Sequence, residues 1–111
     1  MRYMLMTKDD TNVTVTPLSP EMFVQMGKLI EEMTKAGVML ATGGLSPNPT
    51  RIKSSSGKIT ITDGPFAEAK EAVVGFALIE AKSKEEAIEW SKRFWQIVGD
   101  GQGEIYEVFS S

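Results

Sequence analysis

The chain contains no cysteine and no histidine. The first absence excludes disulfide frameworks, thiolate nucleophiles and cysteine-built metal sites, and it fits a reducing compartment. The second excludes Ser-His and Cys-His dyads, HExxH metal sites, and the base whose charge ordinarily changes near neutral pH. Acid–base chemistry would therefore fall to Asp, Glu, Lys or Tyr. A basic excess is missing too. Twelve Lys and Arg stand against fifteen Asp and Glu, a net charge of −3, so no cationic stripe follows a phosphate backbone and nucleic acid is not an expected partner. No apolar run approaches the roughly 18 residues that cross a bilayer. The apolar start of "MRYMLMTKDD" is too short for a signal peptide and no small-residue cleavage site follows it. No Gly-rich loop runs into Lys-Ser/Thr, which excludes a P-loop. The expectation is a cytoplasmic protein without membrane association.

What is present is enough for one domain with one core: 111 residues, 41% hydrophobic and 24% charged, the balance of a globular chain rather than a disordered one. "RYMLMT" (2–7) reads as a buried first strand, followed by a polar loop. "SPEMFVQMGKLIEEMTKAG" (19–37) carries helix signals at both ends. Ser19 suits the N-cap, Pro20 the first helical position, Glu21 the positive end of the dipole, and Gly37 a left-handed C-terminal stop. Met22, Phe23, Met26, Leu29, Ile30 and Met33 fall on one face, so this helix should lie on a sheet, its methionines packing the core.

"VMLATGGL" (38–45) gives a second strand broken at Gly43-Gly44, and "TRIKSSSGKITIT" (50–62) a hairpin turning at Ser55-Ser56-Gly57. "AVVGFALIEA" (72–81) is the most strand-like run, and "GEIYEVF" (103–109) is the last strand. Between them "SKEEAIEWSKRFWQIV" (83–98) opens with a capping box, Ser83 with Glu86. Its apolar arc, from Ala87 and Ile88 through Trp90, Phe94 and Trp95 to Val98, is wider than the usual stripe of about 100°. The surplus needs a second thing to pack on.

The order β-α-β, hairpin, β-α-β predicts an α+β fold: a ferredoxin-like sheet with both helices on one face and a hairpin insertion. The other face, also largely apolar, is a candidate homodimer surface.

Three stretches carry a family resemblance: "GVMLATGGLSP", "ITDGPFAEAKEAVVGFALIEAKSKEEAIEW" and "GEIYEVF". With its Asp-Gly-Pro-Phe-Ala-Glu-x-Lys-Glu signature the chain resembles the YCII-related, DGPF-domain family of small bacterial proteins. The resemblance implies a ferredoxin-like protomer that dimerises through its sheets as a dimeric α+β barrel. Many relatives are encoded near extracytoplasmic-function sigma factors. Some carry a His-Asp pair proposed as catalytic, which a chain without histidine lacks. Many end the last strand Glu-Val-Arg, where this chain has Glu107-Val108-Phe109.

The candidate site centres on Asp63-Gly64-Pro65-Phe66. As a turn, Asp63 caps, Gly64 and Pro65 set the backbone, and Phe66 anchors. As a site, Asp63 is a carboxylate held at a pocket mouth, able to serve as general base if its pKa is raised. Glu68, Lys70 and Glu71 follow, either a solvated edge or an ion pair between subunits, with Lys70 a possible anion contact. Arg51 could fold back from the hairpin. Glu107 is either a buried carboxylate paired with Lys70 or Arg51, or an edge-strand charge that discourages aggregation. Metals and organic cofactors are not expected. Three functions follow: a dimeric small-molecule-binding or accessory protein, a cofactor-independent lyase, isomerase or monooxygenase-like enzyme using Asp63, and a structural partner in a signalling complex.

Overall fold

The computed structural model describes residues 1–10, 18–46, 48–64, 66 and 71–109, without the side chains of Asp10, Glu71 and Ala72. Within them run β1 (Arg2–Asp10), α1 (Pro20–Lys35), β2 (Met39–Gly44), β3 (Thr50–Ser55), β4 (Lys58–Asp63), β5 (Glu71–Glu80), α2 (Lys84–Val98) and β6 (Gln102–Val108). The fold is α+β. Four strands form an antiparallel sheet in the order β2-β5-β1-β6, and β3 pairs with β4 in a separate ribbon. No helix among the described residues is long and apolar enough to cross a membrane.

Local chemistry sets the ends of α1. The Ser19 hydroxyl accepts from the Met22 N–H at 3.2 Å, and Pro20 fills the position whose N–H has no helical partner. At the other end Gly37 adopts φ +74°, its N–H donates to the Thr34 carbonyl, and the Val38 N–H donates to the Met33 carbonyl at 2.8 Å. These two bonds make a Schellman motif, and its apolar contact joins Met33 and Val38 in the core. A Cβ at Gly37 meets nothing within 4 Å, so Gly37→Ala incurs only the left-handed backbone cost. The expected loss is about 1 kcal/mol, read from a urea midpoint; no loss would mean that the helix ends another way.

α2 differs slightly from its expected start. Ser83 accepts from the Glu86 N–H at 3.2 Å, but the Glu86 carboxylate reaches back one residue further, to the Lys82 N–H at 2.7 Å. Arg93 of α2 pairs with Glu32 of α1 and clamps the helices together. That hydrogen bond holds the Glu32 carboxyl below its ordinary range.

The strands differ from the sequence reading in two places. β1 continues through Asp10 because, beyond a bulge at Thr7/Lys8, it still pairs with Val73, Ala72 and Glu71 of β5. A polar run becomes strand when a neighbour supplies its hydrogen bonds. β2 is not broken at its glycines. Gly43 and Gly44 stay in register with Phe76 and Gly75, and the irregularity lies at Met39/Ala41 instead. Gly43 lies close against β5, where a Cβ would come within 3.2 Å of the Phe76 ring.

The core lies between the helices and one face of the sheet. It comprises Tyr3, Leu29, Met33, Val38, Ile79, Ala81 and Ala87, with Ile79 fully buried. Residues opposite one another across the ladders share a face. Met39, Ile79, Tyr3 and Glu107 form one row across all four strands, and Thr42, Ala77, Leu5 and Ile105 the next. On the other face Ala41, Leu78, Met4 and Tyr106 make a largely apolar row. Met4 and Leu78 are only half-buried there, and Tyr106 is exposed.

The β3–β4 ribbon turns through Ser56 (φ 51°) and Gly57 (φ 77°), the two positive values of a type I′ turn. Every residue of both strands is exposed. At its root the Gly64 N–H donates to the Pro49 carbonyl at 2.8 Å, and the Leu45 N–H ties the end of β2 to Val74 of β5.

Candidate functional site

The third row of the helix-facing surface reads Gly44, Gly75, Thr7, Gly103. Three of its four positions have no side chain, so the floor under the helices drops away at this end of the sheet. Above it lies a cavity of about 230 Å³. For scale, an engineered apolar cavity of about 150 Å³ admits benzene. The floor is Leu5, Ala77 and Ile105 with Thr7, Gly75 and Gly103; the walls are Met26, Leu29, Ile30 and Met33 of α1 and Trp90, Ser91, Phe94 and Trp95 of α2.

Two of these glycines, Gly75 and Gly103, have no room for a side chain. A Cβ on Gly75 would sit 2.8 Å from the Thr7 Oγ1, and one on Gly103 would sit 2.5 Å from the Met6 carbonyl oxygen. Trp95 lies close over Gly101 and Gly103, where added Cβ atoms would come within 2.5 and 3.0 Å of its ring, and meets Phe94 edge-on with centroids 5.1 Å apart. Part of the width of the α2 arc is thereby explained: Ala87, Trp90, Phe94 and Ile97 pack the core, and Trp95 joins Trp90 and Phe94 in lining the cavity. Thr7, Thr42 and Ser91 contribute hydroxyls, although Thr42 donates to the Phe76 carbonyl at 3.0 Å. At the edge Glu104 is paired with Lys8, and hydrogen bonds from Lys8 and then Tyr106 hold its carboxyl below the ordinary range. An apolar, aromatic-walled space with a few polar groups suits a small hydrophobic molecule.

The residues singled out from sequence lie elsewhere. Asp63 ends β4 opposite Thr50, whose hydroxyl donates to its Oδ1 at 2.8 Å. The Arg51 guanidinium stacks 3.7 Å from the centre of the Phe66 ring. Asp63, Arg51 and Phe66 are thus gathered at the root of the ribbon, and none of them lines the cavity. Glu107 is exposed on edge strand β6 opposite Tyr3. Burial first, then Glu107 and Glu85, keep the Tyr3 phenol above its ordinary value. Glu71 opposes Asp10 at the start of β5; Pro65, Glu68 and Lys70 lie outside the described residues. Among the described residues no three acidic side chains converge as a metal site.

The cavity residues had a faint sequence signal in the surplus width of the α2 arc. The glycine row had none, because its members come from four strands. Among known proteins, a 41-residue stretch is 42% identical to an uncharacterized protein of Rhizobium meliloti (strain 1021), covering 37% of this chain and 33% of that one. The matched stretch thus spans about a third of that relative's length. The model of the YCII-related domain family matches residues 1–110. The chain belongs to the YCII-related domain family.

Proposed function

We propose that the protein is a homodimer of ferredoxin-like protomers that binds a small, largely apolar molecule in the cavity between its helices and sheet. The strand order β2-β5-β1-β6 supports the ferredoxin-like reading, since it interleaves two β-α-β halves. The half-exposed apolar row around Met4 and Leu78 supports the dimer. The observation that carries the binding function is the void itself. Gly75, Gly103 and Thr7 leave its floor low on the helix-facing side, under a wall of two tryptophans and a phenylalanine. An accessory role beside sigma-factor systems fits a protein that senses such a molecule.

A second reading, a cofactor-independent enzyme with Asp63 as general base, draws on the grouping of Asp63, Arg51 and Phe66 at the ribbon root. One titration separates the two. The chain's two tryptophans, Trp90 and Trp95, both line the cavity, so their fluorescence reports its occupancy. Iodobenzene, whose heavy atom quenches an indole it touches, should quench saturably and raise Tm with concentration. Asp63→Asn should leave both responses intact. Linear quenching without a Tm shift would end the cavity reading, and loss of saturable binding in Asp63→Asn would move the site to the ribbon root.

A further inference from the structure

The β3–β4 ribbon has two unlike faces. Ile52 pairs with Ile61 and Ser54 with Ile59, so the three isoleucines share one side, while Arg51, Lys53 and Lys58 share the other. The isoleucines are 67–69% exposed in the protomer. A two-stranded ribbon is marginal alone in water, and three adjacent isoleucines facing solvent mark a surface with a partner.

The same protomer exposes a second apolar patch at the opposite end of its sheet. The ribbon is rooted where β2 ends and β5 begins, near Gly44 and Gly75. At the far end Arg2 pairs with Val108, and there Tyr106 is 48% exposed, Val108 37%, Phe109 82% and Met1 55%. One chain thus carries an apolar arm at one end of a sheet and an uncovered apolar patch at the other. A two-fold axis perpendicular to the strands brings each arm onto the other copy's patch, and satisfies both surfaces twice.

Dimensions agree. A six-residue strand reaches about 20 Å, close to the width of a four-stranded sheet at about 4.8 Å per strand. A flat footprint of that sheet over seven residues covers roughly 450 Å², short of the roughly 800 Å² per partner of a standard stable interface. The arms add to this area. The molecule's extents, 46 × 37 × 19 Å, leave it two layers thick and long in the other directions, the shape of a protomer that embraces rather than merely abuts.

We infer that the β3–β4 ribbon is a dimer arm whose isoleucine face docks on the Tyr106–Val108–Phe109 end of a second copy of this chain. The inference rests on the homodimer reading above and adds to it the surfaces that meet. Sedimentation velocity over a concentration series tests both. Wild type should be dimeric, and the Ile52→Ser/Ile59→Ser/Ile61→Ser variant should keep its circular dichroism while its dimer Kd weakens at least tenfold. A monomeric wild type overturns the dimer and the arm together. A dimeric variant with Kd within threefold of wild type overturns the arm and leaves the dimer standing. Because the chain has no cysteine, a second measurement is clean. Ile52→Cys, Ile59→Cys and Ile61→Cys proteins are each mixed with differently tagged Tyr106→Cys, Val108→Cys and Phe109→Cys proteins and oxidised. At least one arm–patch pair should form a disulfide between the two tags; failure of every pair overturns the arm.

Discussion

Ile79→Ala lowers the unfolding free energy by about 3–4 kcal/mol, the upper-middle of the range for deleting a buried isoleucine side chain. Ile79 is fully buried on inner strand β5, between Met39 of β2 and Tyr3 of β1, under Leu29 and Met33. The backbones around it are held in place, so the gap closes only in part. Tyr3 is fixed in the β1 ladder, and Met33 is tied by the Schellman bonds that end α1. Part of the vacated volume therefore remains as a cavity, and the loss exceeds the transfer term alone. Against a domain stability of about 5–15 kcal/mol this is a large fraction, with a Tm drop of roughly 10–20 °C. Urea denaturation measures it, with Val24→Ala, at a position 57% exposed, as the control expected to stay within about 0.5 kcal/mol. A loss below about 1 kcal/mol at Ile79 would show that sheet and helices pack loosely around this side chain.

Ser91→Phe weakens iodobenzene binding at least tenfold while leaving the protein folded. Ser91 lines the cavity from α2, between Trp90 and Phe94. A benzyl group there enters existing empty space, so the overpacking cost of about 1–3 kcal/mol that a filled core exacts is largely avoided. Iodobenzene affinity should fall at least tenfold, about 1.4 kcal/mol, with Tm unchanged or raised. Unchanged quenching in the variant would place the probe elsewhere on the protein.

The two predictions differ in how far the sequence foreshadows them. Ile79 lies in "AVVGFALIEA", a run that reads as a central strand on sight. Ser91 reads as a polar helix position, and only the fold brings it to the wall of the cavity. Asp63 was legible as a compact local feature, and its contacts are local: Thr50 across the ribbon, with Arg51 on Phe66 beside it. The cavity was not legible, because no segment contains it. Gly44, Gly75, Thr7 and Gly103 become neighbours only through the registers of three strand pairings.

The same division runs through the whole molecule. Caps, turns and periodicities act over a few residues, so the amino-acid sequence by itself determined that α1 begins at Ser19 and stops at Gly37, that α2 begins at Ser83, and that the ribbon turns within Ser55-Ser56-Gly57. It also determined the β-α-β repetition, because apolar period follows from local geometry. Tertiary structure alone decided that polar Lys8 to Asp10 extend β1, that Gly43 and Gly44 stay within β2, and that Thr7, Gly75 and Gly103 line one cavity with two tryptophans. Those outcomes depend on hydrogen-bond register and close approach between segments far apart in the chain, which no local preference encodes.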